Sequence, residues 1–205
     1  MKETKDYTRL SKKEIAIYKA VVDMINEGAD VNGMKVGEIT NRAGIGKGTA
    51  YEYFTSKEEM VEEALVYTTF LQINNVKDRV EKAEAFKDKF YCILDYMEEN
   101  RDQIRTFLWM MRLKGKAIDI SNLTVSGGAC EETLSKMNYI IEQAEWFVQF
   151  AEEEKLITES NKNYQISALI SQIVQFGFYL HFGGGQDLKD VKRFIYEGYI
   201  KQLNG

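Results

Sequence analysis

The chain has 205 residues, 44% hydrophobic and 29% charged, with a net charge of −5. That balance describes a folded chain with one sizeable core or two small ones, and it excludes a disordered polyelectrolyte. The sequence contains no proline, so every segment can be helical without a forced kink, and an all-α architecture is expected.

A polar arm, Lys2 to Arg9, comes first and is expected to be disordered away from a partner. The first helix is predicted to begin at Ser11, with Glu14 three residues on as the reciprocal capping partner. It carries an apolar face of Ile15, Ile17, Tyr18, Val21, Val22 and Ile25 and ends at Gly28, which accepts the left-handed conformation. Two short helices follow. In the first, Val36, Ile39 and Ala43 recur at helical spacing and require something to pack on. Gly44 supplies the sharp turn. In the second, Ile45, Ala50 and Phe54 turn inward, leaving Lys47, Gly48, Thr49, Tyr51 and Tyr53 outside. An outward helical face with a cation, a hydroxyl, two phenols and little bulk suits the major groove of double-stranded DNA.

Ser56 is a predicted N-cap with Glu59 at the third helical position as its reciprocal partner. The helix it opens is long and amphipathic, carrying Met60, Val61, Ala64, Leu65, Val66, Phe70, Leu71 and Ile73. Further helices are expected over 83–100, 102–114, about 129–155, 165–182 and 187–203, with a loop at Gly115–Gly128 and a turn at Gly183-Gly184-Gly185. The last two form an antiparallel hairpin. Their apolar positions, Ile166, Leu169, Ile170, Ile173, Val174 and Gly177 with Val191, Phe194, Ile195 and Ile200, exceed what one face needs, so a four-helix homodimer interface is expected there, with intramolecular core as the competing reading.

The run Ala43-Gly44-Ile45-Gly46-Lys47-Gly48-Thr49-Ala50-Tyr51-Glu52-Tyr53-Phe54, followed by Ser56-Lys57-Glu58-Glu59-Met60, resembles the DNA-binding domain of the tetracycline-repressor (TetR) family of bacterial transcriptional regulators. The similarity extends from about Ser11 to Val66. It implies an N-terminal three-helix domain, residues 1–56 with the helix-turn-helix at about 36–54, joined by the long helix to a C-terminal ligand-binding and dimerisation domain, 57–205. It also implies base-edge or groove contacts by Lys47, Gly48 and Thr49, and phosphate contacts by Tyr51, Tyr53 and Lys57. Two positions depart from the family pattern: Gly46 stands where serine is common, and Thr40 where alanine is.

The body is rich in large aromatics and methionines that can line a small-molecule pocket. Phe107, Trp109, Met110, Trp146, Phe150, Phe176 and His181 are the candidates, with Tyr139, Gln143, Gln172 and Gln175 as further polar fixings. Core packing is the competing reading for each aromatic, and a lone histidine makes neither a metal site nor an acid–base pair. Cys92 and Cys130 form no metal or disulfide signature, so a reduced cytosol is the simplest compartment. No apolar run approaches the ~20 residues that span a bilayer. No catalytic constellation, cofactor or metal is expected.

The acidic total conceals an asymmetry: residues 1–57 carry ten Lys or Arg against eight Asp or Glu, net +2, so the remainder carries −7. A slightly basic head on an acidic body directs DNA to one end of the molecule. The reading that follows is a dimeric repressor on a palindromic operator, released by a small-molecule inducer. The alternatives are a constitutive DNA-binding protein whose body holds a protein partner, and a helical carrier or enzyme.

Overall fold

The computed structural model describes residues 7–103, 131–183 and 187–205. Among them every regular element is a helix: α1 Lys12–Asn26, α2 Val36–Ala43, α3 Lys47–Tyr53, α4 Lys57–Lys82, α5 Phe86–Glu99, a single 3₁₀ turn at Arg101–Gln103, α6 Glu131–Glu153, α7 Lys162–Phe182 and α8 Leu188–Gln202. The helix expected over 102–114 and the loop at 115–128 lie beyond the turn at 101–103 and outside the described residues.

Helices α1 to α3 begin and end where local chemistry directs. Ser11 Oγ accepts the Glu14 N–H at 3.2 Å while the Glu14 carboxylate accepts the Ser11 N–H at 2.9 Å. Two of the orphan donors at the start of α1 are thereby satisfied. At its end Gly28 takes φ 94°, and the Ala29 N–H reaches back to the Met24 carbonyl at 2.9 Å. The same device closes α2: Gly44 sits at φ 66°, ψ 29°, and Ile45 donates to the Thr40 carbonyl at 2.9 Å.

Buried apolar residues gather into two clusters. The first joins Ile17, Tyr18, Val21 and Ile25 of α1 to Ile39, Ala50 and Phe54 and to Met60, Val61, Ala64 and Leu65 at the start of α4. Phe54 meets the ring of Tyr18 edge-on, centroids 5.7 Å apart. Burying each such side chain contributes about 1.5–3 kcal/mol, which holds two helices of seven and eight residues that would not persist alone. The second cluster lies in the body and includes Val80, Phe86, Phe90, Leu94, Phe147, Val148, Leu169, Phe176, Ile195 and Tyr199. Helix α4, about 39 Å long at 1.5 Å per residue, feeds both.

The start of α5 differs from expectation. A single helix over 83–100 was predicted, but α4 runs to Lys82 and α5 begins only at Phe86. The buried Lys89 explains the break: its ammonium donates to the Val80 carbonyl at 3.0 Å and to that of Ala83, taking up acceptors at the end of α4. Lys89 also lies over the Phe150 ring, 4.5 Å from the centroid. The first N–H of α5, on Phe86, is received by the Glu154 carboxylate, 68 residues away.

Helix α6 ends with Lys155 in the left-handed region, φ 55°, two residues past Glu153. The connection to α7 is pinned to the C-terminus, since Thr158 and Glu159 both donate to the Leu203 carbonyl. The segment ahead of α1 is also held from residue 7 onward, against the expected disorder of the arm. Tyr7 packs on Tyr67 and Phe70 of α4 and donates to Glu63 Oε2 at 2.9 Å.

Candidate nucleic-acid interface

Helix α3 is short enough that its period divides it cleanly. Ala50 and Phe54 are buried in the first cluster, and Thr49 and Tyr53 are half-buried on its flanks. Lys47, Gly48, Tyr51 and Glu52 are exposed, Tyr51 at 48%. At about 100° per residue these four cover one continuous arc of about 140°. Four of the six expected contact residues therefore lie on or beside the outward face, Lys47, Gly48, Thr49 and Tyr51. Tyr53 is partly committed to packing, its ring 6.4 Å from that of Phe54.

The two glycines of this helix differ in what they do. Gly46 is the N-cap, with extended backbone and no side-chain cap bond. Gly48 is inside the helix at ordinary φ, and a Cβ added there would meet nothing within 4 Å. A helical glycine costs about 0.5–1 kcal/mol relative to alanine. Neither internal packing nor backbone strain accounts for it, so the missing side chain leaves room for an approaching surface.

Lys57 is engaged within the head. Its Nζ donates to the Asn32 carbonyl at 3.0 Å and lies 3.6 Å from Glu58, so it tethers the turn between α1 and α2 to the start of α4. The cap beneath it departs from expectation. Ser56 Oγ accepts the Glu59 N–H at 3.1 Å as predicted, but the Glu59 carboxylate accepts from Thr55, through both its N–H and its hydroxyl. The reciprocal bond has moved one residue outward.

The two departures from the family pattern are accommodated. Thr40 is buried, and its hydroxyl donates to the Gly37 carbonyl at 3.2 Å, so the extra polar atom is satisfied within α2. Arg42 makes a bidentate pair with Glu27, joining the end of α2 to the end of α1. Hydrogen bonding from Arg42 holds the Glu27 carboxyl below its ordinary range.

In the body, Phe107, Trp109 and Met110 lie outside the described residues. Phe176 is buried in the packed second cluster, and Trp146 and Phe150 pack against that cluster from its edge. His181 is exposed, its ring edge-on to Phe182 at 4.4 Å. Among the further polar candidates, Tyr139 donates to Asn74 at 3.1 Å and Gln143 accepts from Lys77 at 3.4 Å, both tying α6 to α4. A cleft of about 820 Å³ opens between α5 and the start of α8, lined by Tyr91, Asp95, Glu98, Asp187, Leu188, Lys189, Asp190, Lys192 and Arg193. Lys192 bridges Asp95 and Glu98 across it, Arg193 pairs with Asp190 within α8, and none of Trp146, Phe150, Phe176 and His181 lines it.

The expected dimer stripe divides between the inside and the outside of the protomer. Ile166, Leu169, Gly177, Val191 and Ile195 are buried within the protomer. The large apolar side chains that α7 and α8 leave outside are Tyr164 at 42% exposure, Phe178 at 47%, Phe182 at 72% and Phe194 at 56%. Five residues of the predicted stripe are used inside the protomer, Ile170, Ile173, Val174 and Ile200 are half-buried, and Phe194 keeps its predicted place outside, joined there by Phe178 and Phe182. Among the described residues no three His, Cys, Asp or Glu side chains form a metal-binding group, and no helix is long and apolar enough to cross a membrane.

Residues 27–64, which contain α2, α3 and the first turns of α4, match the family model of bacterial regulatory proteins of the tetR family. Solved structures share the fold over nearly the whole chain. The fatty acid degradation regulator FadR of Bacillus halodurans superposes with a TM-score of 0.66 at 13% identity, covering 96% of this chain and 97% of that one. The transcriptional regulator FadR of Bacillus subtilis, solved in complex with stearoyl-CoA, gives 0.64 at 13% identity over 93% and 98%. A TetR family transcription regulator of Marinobacter aquaeolei VT8 gives 0.60 at 14% identity over 94% and 95%. The search of proteins of curated function returned no match. The helix-turn-helix segment, residues 27–64, is thus similar to that of bacterial regulatory proteins of the tetR family, and the chain as a whole shares the fold of these solved structures.

Proposed function

We propose that this protein is a homodimeric, sequence-specific repressor of transcription in the cytoplasm, which binds a palindromic operator through α3 and leaves it when a small molecule occupies the helical body. Residues 1–56 form the DNA-binding head and 57–205 the ligand-binding and dimerising body, with the first turns of α4 packed into the head. Lys47, Gly48 and Thr49 contact base edges or the groove, and Tyr51, Tyr53 and Lys57 contact phosphates. The observation that carries the reading is the outward face of α3, where a helical glycine with open space around it lies beside an exposed lysine at the helix N-terminus. Backbone N–H groups and a cation at that end favour phosphate.

Phe178, Phe182 and Phe194 support the dimer, because three large rings exposed on one hairpin form the kind of apolar patch that marks an interface. A two-fold pair places its α3 helices on half-sites roughly 34–36 Å apart or a multiple of that. For the ligand, the related fold of the Bacillus subtilis FadR was solved with stearoyl-CoA, so acyl-CoA thioesters are the first compounds to screen. Release requires that the ligand bind the DNA-incompetent arrangement better than the competent one.

The test is selection of bound fragments from random duplex DNA by the purified protein at physiological salt. Recovery of a palindrome with half-sites about one turn apart supports the reading, and absence of enrichment at every salt concentration overturns it.

A further inference from the structure

The outward face of α3 contains a residue that its cation and phenols leave unexplained. Glu52 is exposed between Tyr51 and Tyr53, on the same arc as Lys47 and Gly48. Its neighbours on the helix do not neutralise it. Four residues before it Gly48 has no side chain, and five residues after it the Lys57 ammonium is taken by the Asn32 carbonyl and Glu58. Glu52 makes no hydrogen bond or ion pair with any described residue.

A carboxylate in that position is unfavourable beside phosphates and needs hydrogen-bond donors. The first and last residues of α3 are separated by about 9 Å along the axis, less than the ~12 Å width of the major groove, so Glu52 enters with the rest of the face. Only two kinds of donor project there, the N4 amino group of cytosine and the N6 amino group of adenine. The adenine amino group lies between two acceptors, its own N7 and O4 of the paired thymine. The cytosine amino group has an acceptor, O6 of guanine, on one side only. An anionic acceptor therefore selects cytosine.

We infer that Glu52 reads a cytosine in each half-site by accepting a hydrogen bond from its N4 amino group. The inference rests on the placement of α3 in the major groove proposed above. It assigns base selection to the far end of the helix and adds a contact that the choice of Lys47, Gly48 and Thr49 does not include.

The experiment compares DNA selected by the wild-type protein, Glu52→Ala and Glu52→Gln, followed by titration of each protein with the selected operator and with one in which the cytosine–guanine pair is replaced by thymine–adenine. The wild type is expected to lose about tenfold or more in affinity on that replacement. Glu52→Ala is expected to bind both duplexes alike, and Glu52→Gln to move the preference towards adenine. All three proteins should melt alike, since Glu52 holds nothing within the fold. Unchanged base preference in Glu52→Ala overturns the contact alone. So does a uniform gain in affinity across all sequences with a steeper salt dependence, which would place Glu52 against phosphate. Failure of the wild type to select any site overturns the DNA-binding reading and this contact together.

Discussion

The hydroxyl of Tyr7 donates to the buried carboxylate of Glu63 at 2.9 Å, fastening the segment ahead of α1 to the second turn of α4. The ring of Tyr7 continues a line of aromatic contacts through the junction of head and body. Phe54 packs on Tyr18 at 5.7 Å, Tyr18 on Tyr67 at 5.2 Å, Tyr67 on Tyr7 at 6.2 Å, Tyr7 on Phe70 at 5.8 Å and Phe70 on Tyr139 at 4.9 Å. The line begins one residue beyond α3 and ends on α6, so α4 is held at its midpoint from three sides.

Tyr7→Phe keeps every ring contact in that line and removes one hydrogen bond to a charged acceptor. A loss of about 1–2 kcal/mol in urea-induced unfolding at neutral pH is expected, with Tyr7→Ala losing more because the ring goes too. A change below about 0.3 kcal/mol for Tyr7→Phe would mean that the bond adds nothing to stability.

Alkali should unfold the protein through buried tyrosines. Burial above all holds the hydroxyls of Tyr7, Tyr18 and Tyr199 well above their ordinary value of 10.0, with nearby carboxylates adding to it. The unfolded chain releases these protons near pH 10 while the folded chain keeps them, so the unfolded state is increasingly favoured as pH rises past that point. Stability is expected to be level from neutrality to about pH 9 and to fall steeply above pH 10. In denaturant titrations from pH 7 to 11, Tyr7→Phe should fall less steeply. Equal slopes would show that Tyr7 ionises alike in both states.

Gly48→Ala separates folding from recognition. Nothing lies within 4 Å of the added methyl group, and alanine restricts the unfolded chain, so stability should rise by about 0.4–1 kcal/mol in thermal or urea melts. Affinity for the selected operator should fall at the same time, because the methyl group stands where the duplex approaches. A variant that is both more stable and equally tight would remove the argument that close approach requires this glycine.

Phe178 and Phe182 stack on one another, centroids 5.9 Å apart and planes 20° from parallel, with both rings exposed. Glutamate at both positions should convert the dimer to monomer in sedimentation velocity and leave the helical circular dichroism unchanged. Operator binding should weaken far more than the loss of either half-site alone explains, since linked heads bind as a pair. A double variant that still sediments as a dimer would move the interface elsewhere.

Much of the head could be read from sequence because its determinants are neighbours in the chain. The Ser11–Glu14 box spans three residues, and the closures at Gly28 and Gly44 each use bonds to carbonyls within five residues. Glu52 was legible in the same way: the four-residue step from Gly48 places it on the outward face. Its carboxylate carries no such signal in the sequence, because cations and hydroxyls are the side chains expected at phosphate.

Side-chain period and local capping thus account for the all-helical class, the two short helices with their glycine turn, the outward residues of α3 and the long helix that follows. Contacts between distant segments account for the rest: Tyr7 meets Glu63, Lys89 closes α4, and Glu154 receives the first N–H of α5 from 68 residues away. They also turn Ile166 and Ile195 inward while Phe178 and Phe194 remain outside. Periodicity states that a helix has an apolar side, but which neighbour covers it depends on chain segments that only folding brings together.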